Sequence, residues 1–187
     1  VRIDVIQHPG PCPCSEKRVY DQIASIDLGH RVSRDISKRI GSSTCGDVYE
    51  GTLSPEQMKA SGNGIEALIP QTKQKVAVKV VRYVDKDALT VLMRILRGIY
   101  VWWNLAHENV AKLFGITTNL DHTISIVSPL IPRGDAFRYV QDPNIDPRPL
   151  ILGIANGLHY LHTFEQGPII HGGIKGVGVI LDFEPNV

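Results

Sequence analysis

Three groups of residues in this sequence have types and spacings that could do chemistry. The first is Lys79 in Val76-Ala77-Val78-Lys79-Val80, a single cation inside a β-branched alternation. Such a run reads as a strand with one packed face. A lysine there either lays its aliphatic stem over apolar surface with its ammonium in water, or presents the ammonium to a phosphate. The second group is the cysteines and histidines. Cys12 and Cys14 stand in Pro11-Cys12-Pro13-Cys14, and no second pair completes a tetrahedral zinc site. His159 and His162 have no nearby cysteine or carboxylate to finish a ligand set, so no metal site is expected there. The third is His171-Gly172-Gly173-Ile174-Lys175-Gly176, where a histidine and a lysine stand among glycines. What surrounds these groups decides between the readings.

Composition narrows the classes. The 20 basic and 19 acidic side chains nearly cancel, so no bulk field favours a nucleic acid or an anionic membrane as partner. No apolar run approaches the roughly 20 residues of a membrane span. Three cysteines make no disulfide framework, and a cytoplasmic location is expected. The 187 residues suffice for one domain or two very small ones, and an apolar content of 43% supports a packed core. An opening at Val1 instead of methionine suggests a piece of something longer.

The elements that must position these groups follow from periodicity. Residues 1–18 hold prolines and His8-Pro9-Gly10 and read as an irregular leader. Residues 19–34 add a weak apolar pattern of Val19, Ile23, Ile26 and Leu28, with a basic patch at Arg31 and Arg34. Two strands joined by a tight turn are expected over Ile36–Ile40 and Asp47–Gly51. A long connection at 52–74, with a helical turn in Glu56–Ala60, precedes the lysine strand at 75–82. Leu89, Leu92, Met93, Leu96, Ile99, Tyr100 and Trp103 then mark a helix over 85–105, opened by Asp85 or Asp87, with Gly98 in its interior. Further strands are expected at Val110–Ile116 and His122–Val127, with a turn over Thr117–Asp121. A helical turn at Ala136–Val140 is capped by Asp135. Pro149 opens a helix whose Ile151, Ile154, Ala155, Leu158 and Leu161 form a buried stripe, loosened at Gly153 and Gly157. Val179–Leu181 is a last short strand.

This order of elements, with Ile154-Ala155-Asn156-Gly157-Leu158-His159-Tyr160-Leu161-His162 and His171 to Gly176, resembles a eukaryotic-type protein kinase domain. Its flavour is that of fungal tyrosine-kinase-like kinases, and the likeness covers about residues 35–182. It implies an α+β fold in which an amino-terminal lobe of antiparallel sheet and one helix is followed by the first helices and catalytic-loop region of the large lobe. The implied organisation is an irregular leader at 1–34, an amino-terminal lobe at 35–131 and a partial carboxy-terminal lobe at 132–187.

The resemblance assigns roles residue by residue. Gly41-Ser42-Ser43-Thr44-Cys45-Gly46-Asp47-Val48 matches the phosphate-covering loop, with Gly41 and Gly46 retained, Ser43 in place of the middle glycine and Cys45 at the tip. Lys79 matches the lysine on the α- and β-phosphates. Val48 and Ala77 would sandwich adenine, Ile180 would close it from below, Ser128 stands as gatekeeper, and the backbone of Pro129 and Ile131 would meet the base. ATP or ADP is therefore the implied cofactor. The catalytic side is vacant. The glutamate that would orient Lys79 is Gly98. The aspartate that would take the substrate hydroxyl proton is Gly173, and the magnesium-binding asparagine is Gly178, although His171 and Lys175 match, with Lys175 in the phosphate-neutralising place. Glycine has no side chain to accept a proton or coordinate magnesium, so Mg2+ binding is not expected. Asp182-Phe183-Glu184 imitates the family's magnesium motif but lies too close to Gly178, and Asp182 reads as a strand-end acid.

The implied function is a pseudokinase that binds ATP or ADP weakly without phosphoryl transfer. The alternatives are an active protein kinase that uses Asp47 or Asp182 as substitute, and a nucleotide-free scaffolding module. A protein partner or the absent remainder of the large lobe would cover the helix at 149–162. Trp102, Trp103 and His107 are expected to be structural.

Overall fold

The computed structural model describes residues 2–3, 16–43, 46–55, 72–82, 88–121, 123–131, 135–172, 174 and 179–180. The described elements, in chain order, are β1 (Arg2–Ile3), α1 (Glu16–Ser25), β2 (Val32–Ser43), β3 (Gly46–Leu53), β4 (Gln74–Val81), α2 (Ala88–Trp103), β5 (Gly115–Leu120), β6 (Thr123–Pro129), α3 (Ala136–Tyr139), α4 (Arg148–His162) and β7 (Val179–Ile180), with a 3-10 turn at Gly29–Arg31. This is the expected α+β class. Contacts divide the chain into a sheet unit of Asp21–Ala88 and Leu113–Leu130, and a helical unit of Val1–Tyr20, Leu89–Lys112 and Ile131–Val187.

The sheet unit is a five-stranded antiparallel sheet in the order β2-β3-β4-β6-β5. Alternation over residues 75–79 of β4 puts Val76 and Val78, both 0% exposed, on one face. There they join Leu28, Val32, Leu53 and Val127 in a core flanked by Phe114 and Leu120. Each fully buried valine or leucine side chain contributes about 1.5–3 kcal/mol.

The segment before β2, expected to be irregular, is built into this unit. The Ile116 N–H donates to the Ile26 carbonyl at 3.1 Å, and the Leu28 N–H donates to the Ile116 carbonyl at 2.8 Å. The Thr117 hydroxyl donates to the Gly29 carbonyl at 2.9 Å, and the Thr118 hydroxyl to the Asp27 carboxylate at 3.0 Å. Residues 26–29 thus cover the otherwise open edge of β5, the protection that an edge strand needs. Gly115 permits the approach. Its φ is +149°, and a Cβ there would run into the Ile26 carbonyl oxygen. Upstream, the weak pattern of Val19 and Ile23 is the buried side of α1.

Two strand expectations shift. The strands fall at Gly115–Leu120 and Thr123–Pro129, so the expected turn over Thr117–Asp121 is mostly strand, and the chain reverses at Asp121, whose φ is +53°. β-Branched Thr117 and Thr118 favour extension, and Asp is among the few residues that tolerate the left-handed region. Val110, Ala111 and Leu113 are buried without forming a strand; the Ala111 carbonyl instead accepts the Trp102 indole N–H at 2.5 Å.

In the helical unit, α2 buries Leu96, Ile99 and Trp102, while Leu89 at the head of the expected stripe is 67% exposed. The Asp135 carboxylate accepts the Arg138 N–H at 2.9 Å and caps α3 as expected. Pro149 lies in the first turn of α4, where a missing N–H costs nothing. The buried line of α4 differs from the expected one. It runs through Leu150, Gly153, Gly157 and Leu161, with Ile154 and Leu158 half-buried, while Ile151 and Leu152 are 62% and 63% exposed. Both lines obey helical spacing, offset by one residue, and the glycines belong to the packed side. The helical turn expected at Glu56–Ala60 and the openers Asp85 and Asp87 lie outside the described residues.

Candidate nucleotide site

Register assembles the candidate site within the sheet unit. Gly41 opposes Val48, Val48 opposes Lys79, and Lys79 opposes Ile126, forming one row across β2, β3, β4 and β6. In the next row of the same face, Glu50 opposes Ala77 and Ala77 opposes Ser128. Directly opposed residues share a face, as do residues two apart along a strand. Gly41, Val48, Ala77, Lys79 and Ser128 therefore lie on one face, the reverse of the Val76–Val78 core. All five are half-buried. Val48 and Ala77 supply apolar surface, and Lys79 supplies a cation beside it.

The glycine-bearing stretch is a hairpin more than an open loop. Its ladder continues through Ser42 opposite Asp47 to Ser43 opposite Gly46. Amides that point across this ladder are committed to it and cannot also bind a ligand. Thr44 and Cys45 lie outside the described residues. Gly46 has a reason of its own to be glycine: φ is +151°, and a Cβ would strike the Val80 carbonyl oxygen. Gly41 has none of this kind, since a Cβ there would touch Val48 at an ordinary 3.7 Å.

Two acids on β3 separate by face. Asp47 stands on the core side of the alternation, paired with Arg82 and, at 3.8 Å, with Arg39. The Arg82 hydrogen bond, followed by that of Ser42, holds its carboxyl below the ordinary aspartate value. It is an ion-pair anchor on the face opposite Lys79, which removes it as a substitute proton acceptor. Glu50 is on the Lys79 face, where the sequence reading did not place it. Lys75 at 3.0 Å and Lys38 at 3.6 Å pair with it, and the Lys75 hydrogen bond is the main cause of its lowered pKa. The alternation Val48-Tyr49-Glu50 carried that signal.

Ile131 is half-buried just after β6, and Ile180 lies in β7; both belong to the helical unit. Gly98 falls within α2 and offers no carboxylate. Gly173, Lys175, Gly178 and Asp182 lie outside the described residues. Among the described residues no three His, Cys, Asp or Glu side chains are grouped so as to hold a metal ion. With glycine at 173 and 178, the donor set does not fit magnesium at those positions. No described helix is long and apolar enough to cross a membrane.

A family profile described as protein tyrosine and serine/threonine kinase matches residues 35–187. The chain is 28% identical over 151 residues to the L-type lectin-domain containing receptor kinase IV.3 of Arabidopsis thaliana, a match that covers 75% of this chain and 22% of that protein. It is 30% identical over 115 residues to the wall-associated receptor kinase-like 10 of the same plant, covering 57% and 14%. A third relative, named "Probable inactive L-type lectin-domain containing receptor kinase III.1", is 28% identical over 158 residues, covering 81% and 22%. The chain thus spans less than a quarter of the length of these relatives. They are plant receptor kinases, where the wording of the motifs suggested a fungal flavour.

Proposed function

We propose that this chain, which belongs to the protein tyrosine and serine/threonine kinase family, is a kinase-like module that binds ATP or ADP weakly and does not transfer phosphate. The observation that carries the reading is the half-buried patch of Gly41, Val48, Ala77, Lys79 and Ser128 on one face of the sheet. On that face the apolar pair would hold the base and Lys79 would neutralise phosphate charge. Ser43, Gly46, Ile131 and Ile180 complete the set by resemblance. Lys175 and Gly173 take the phosphate-neutralising and vacant proton-acceptor places by the same route.

Loss of transfer follows from side chains that are not there. An acceptor for the substrate proton, a magnesium-binding amide and a carboxylate to orient Lys79 would stand at Gly173, Gly178 and Gly98. Misplacement of a reacting group by about 1 Å can cost on the order of 100-fold in rate, so the lack of a carboxylate at Gly98 weakens the chemical step far more than ground-state binding. The relative named "Probable inactive L-type lectin-domain containing receptor kinase III.1" supports this reading.

Thermal unfolding with ADP or ATP, each with and without Mg2+, tests this. A ligand at one hundred times Kd that binds only the folded state stabilises it by about 2.7 kcal/mol. For a chain of this size that raises Tm by about 5–10 °C. The expected result is a shift independent of Mg2+ and absent in Lys79→Met. A cooperative transition indifferent to nucleotide sinks the reading in favour of a scaffold, to which the exposed Ile151 and Leu152 on α4 would contribute surface.

A further inference from the structure

We propose that Arg2 and Ile3 form a releasable intramolecular clamp on Val179–Ile180, which ties two segments of the helical unit that are remote in sequence. Four observations within the helical unit carry this. β1 pairs antiparallel with β7, with Arg2 opposite Ile180 and Ile3 opposite Val179, although about the whole chain separates them. Arg2 has a second hold, because its Nε donates to the Glu108 carbonyl at 3.2 Å. β1 also lies against α4. Upstream of β7 the same unit is held at Ile169, whose N–H donates to the Leu161 carbonyl at 2.9 Å, and at His171, whose side chain is buried.

The clamp is also releasable. In a two-residue antiparallel ladder only one opposed pair exchanges backbone hydrogen bonds, so Arg2–Ile180 or Ile3–Val179 holds the strands, not both. A competing strand able to make the same bonds could displace it.

Hydrogen–deuterium exchange on the full chain, compared with Arg2→Pro and Ile3→Pro, tests the clamp. One of these prolines must delete the bonded amide of β1. The native chain should exchange at 179–180 about tenfold slower than an unstructured peptide of that sequence, and one proline should abolish this while 74–81 stays protected. No native protection at 179–180, or protection that survives both prolines, overturns the clamp. Where the prolines unfold the whole chain, 74–81 loses protection too, and a second variant decides. Arg2→Cys with Ile180→Cys places two thiols at opposed positions within disulfide reach. A 2–180 crosslink with oxidised glutathione, mapped by peptide mass spectrometry, supports the clamp, and its absence overturns it.

Discussion

The two faces of the five-stranded sheet come from one alternation and end in different states. On one, Val76, Val78 and Val127 are 0% exposed and Leu53 is 1% exposed, all packed on each other. On the other, Val48, Ala77, Lys79 and Ser128 are half-buried, while Ile116, Ile124 and Ile126 on β5 and β6 are buried. A closed apolar face has spent its hydrophobic surface on folding, whereas the half-buried patch around Lys79 has surface left for a ligand. The difference teaches that stability and binding in this unit are read from neighbouring residues of the same strand, and substitutions on the two faces should separate them.

The largest effect is expected on the closed face. Leu53→Ala should cost about 2–5 kcal/mol in urea unfolding, through lost burial and the cavity left behind. A loss within experimental error would mean that this face is not the core. Next comes the seam of the hairpin. Gly46→Ala forces a Cβ against the Val80 carbonyl at φ +151°, a strain on the order of 1–3 kcal/mol. If Gly46 mattered only to a ligand, the variant would unfold as the native chain does and fail only in nucleotide binding. On the open face, Lys79→Met keeps an apolar stem of similar length. Its unfolding free energy should therefore change by less than about 1 kcal/mol, while the nucleotide-dependent rise in Tm disappears. Equal losses in both would merge the two faces into a single structural role.

How much of this was legible in sequence depended on how local the cause was. β4 was legible because residues 75–79 alternate, and so were the Asp135 cap and the position of Pro149, which act within one turn. The Lys79 face was legible through alternation plus resemblance. The boundaries of β5 and β6 were not, because the ladder Gly115–Val127 to Leu120–Thr123 is set by a partner strand and by a left-handed Asp121. Nor was the docking of Ile26 to Gly29 on β5, since a weak apolar pattern carries no mark of which edge it covers. On α4, Ile151 and Leu150 start equally good stripes, and only tertiary packing chose the one that passes through Gly153 and Gly157. The steric need for glycine at 46 was not legible either, because the conflict is with Val80, a residue far along the chain.

The smallest effect concerns the ion pairs that frame β3, and its sign follows from proton linkage. Asp47 is held below its ordinary value of 3.8, first by the Arg82 hydrogen bond. A carboxyl depressed in the folded state contributes stability that is fully present above the unfolded value and is lost as pH falls through the folded one. Asp47→Asn removes that contribution at every pH. The Tm of the native chain should therefore exceed that of the variant by a constant margin near neutral pH, and the two curves should converge as pH drops below about 4. Both are exposed to salt screening, so the margin should narrow at high ionic strength as well. Glu50→Gln should behave alike on the other face, with Lys75 as the partner lost. Because Glu50 shares its face with Lys79, its variant should also change the salt dependence of nucleotide binding, and Asp47→Asn should not. A Glu50 variant that alters only stability, or an Asp47 variant that alters binding, would show that the two faces are not independent.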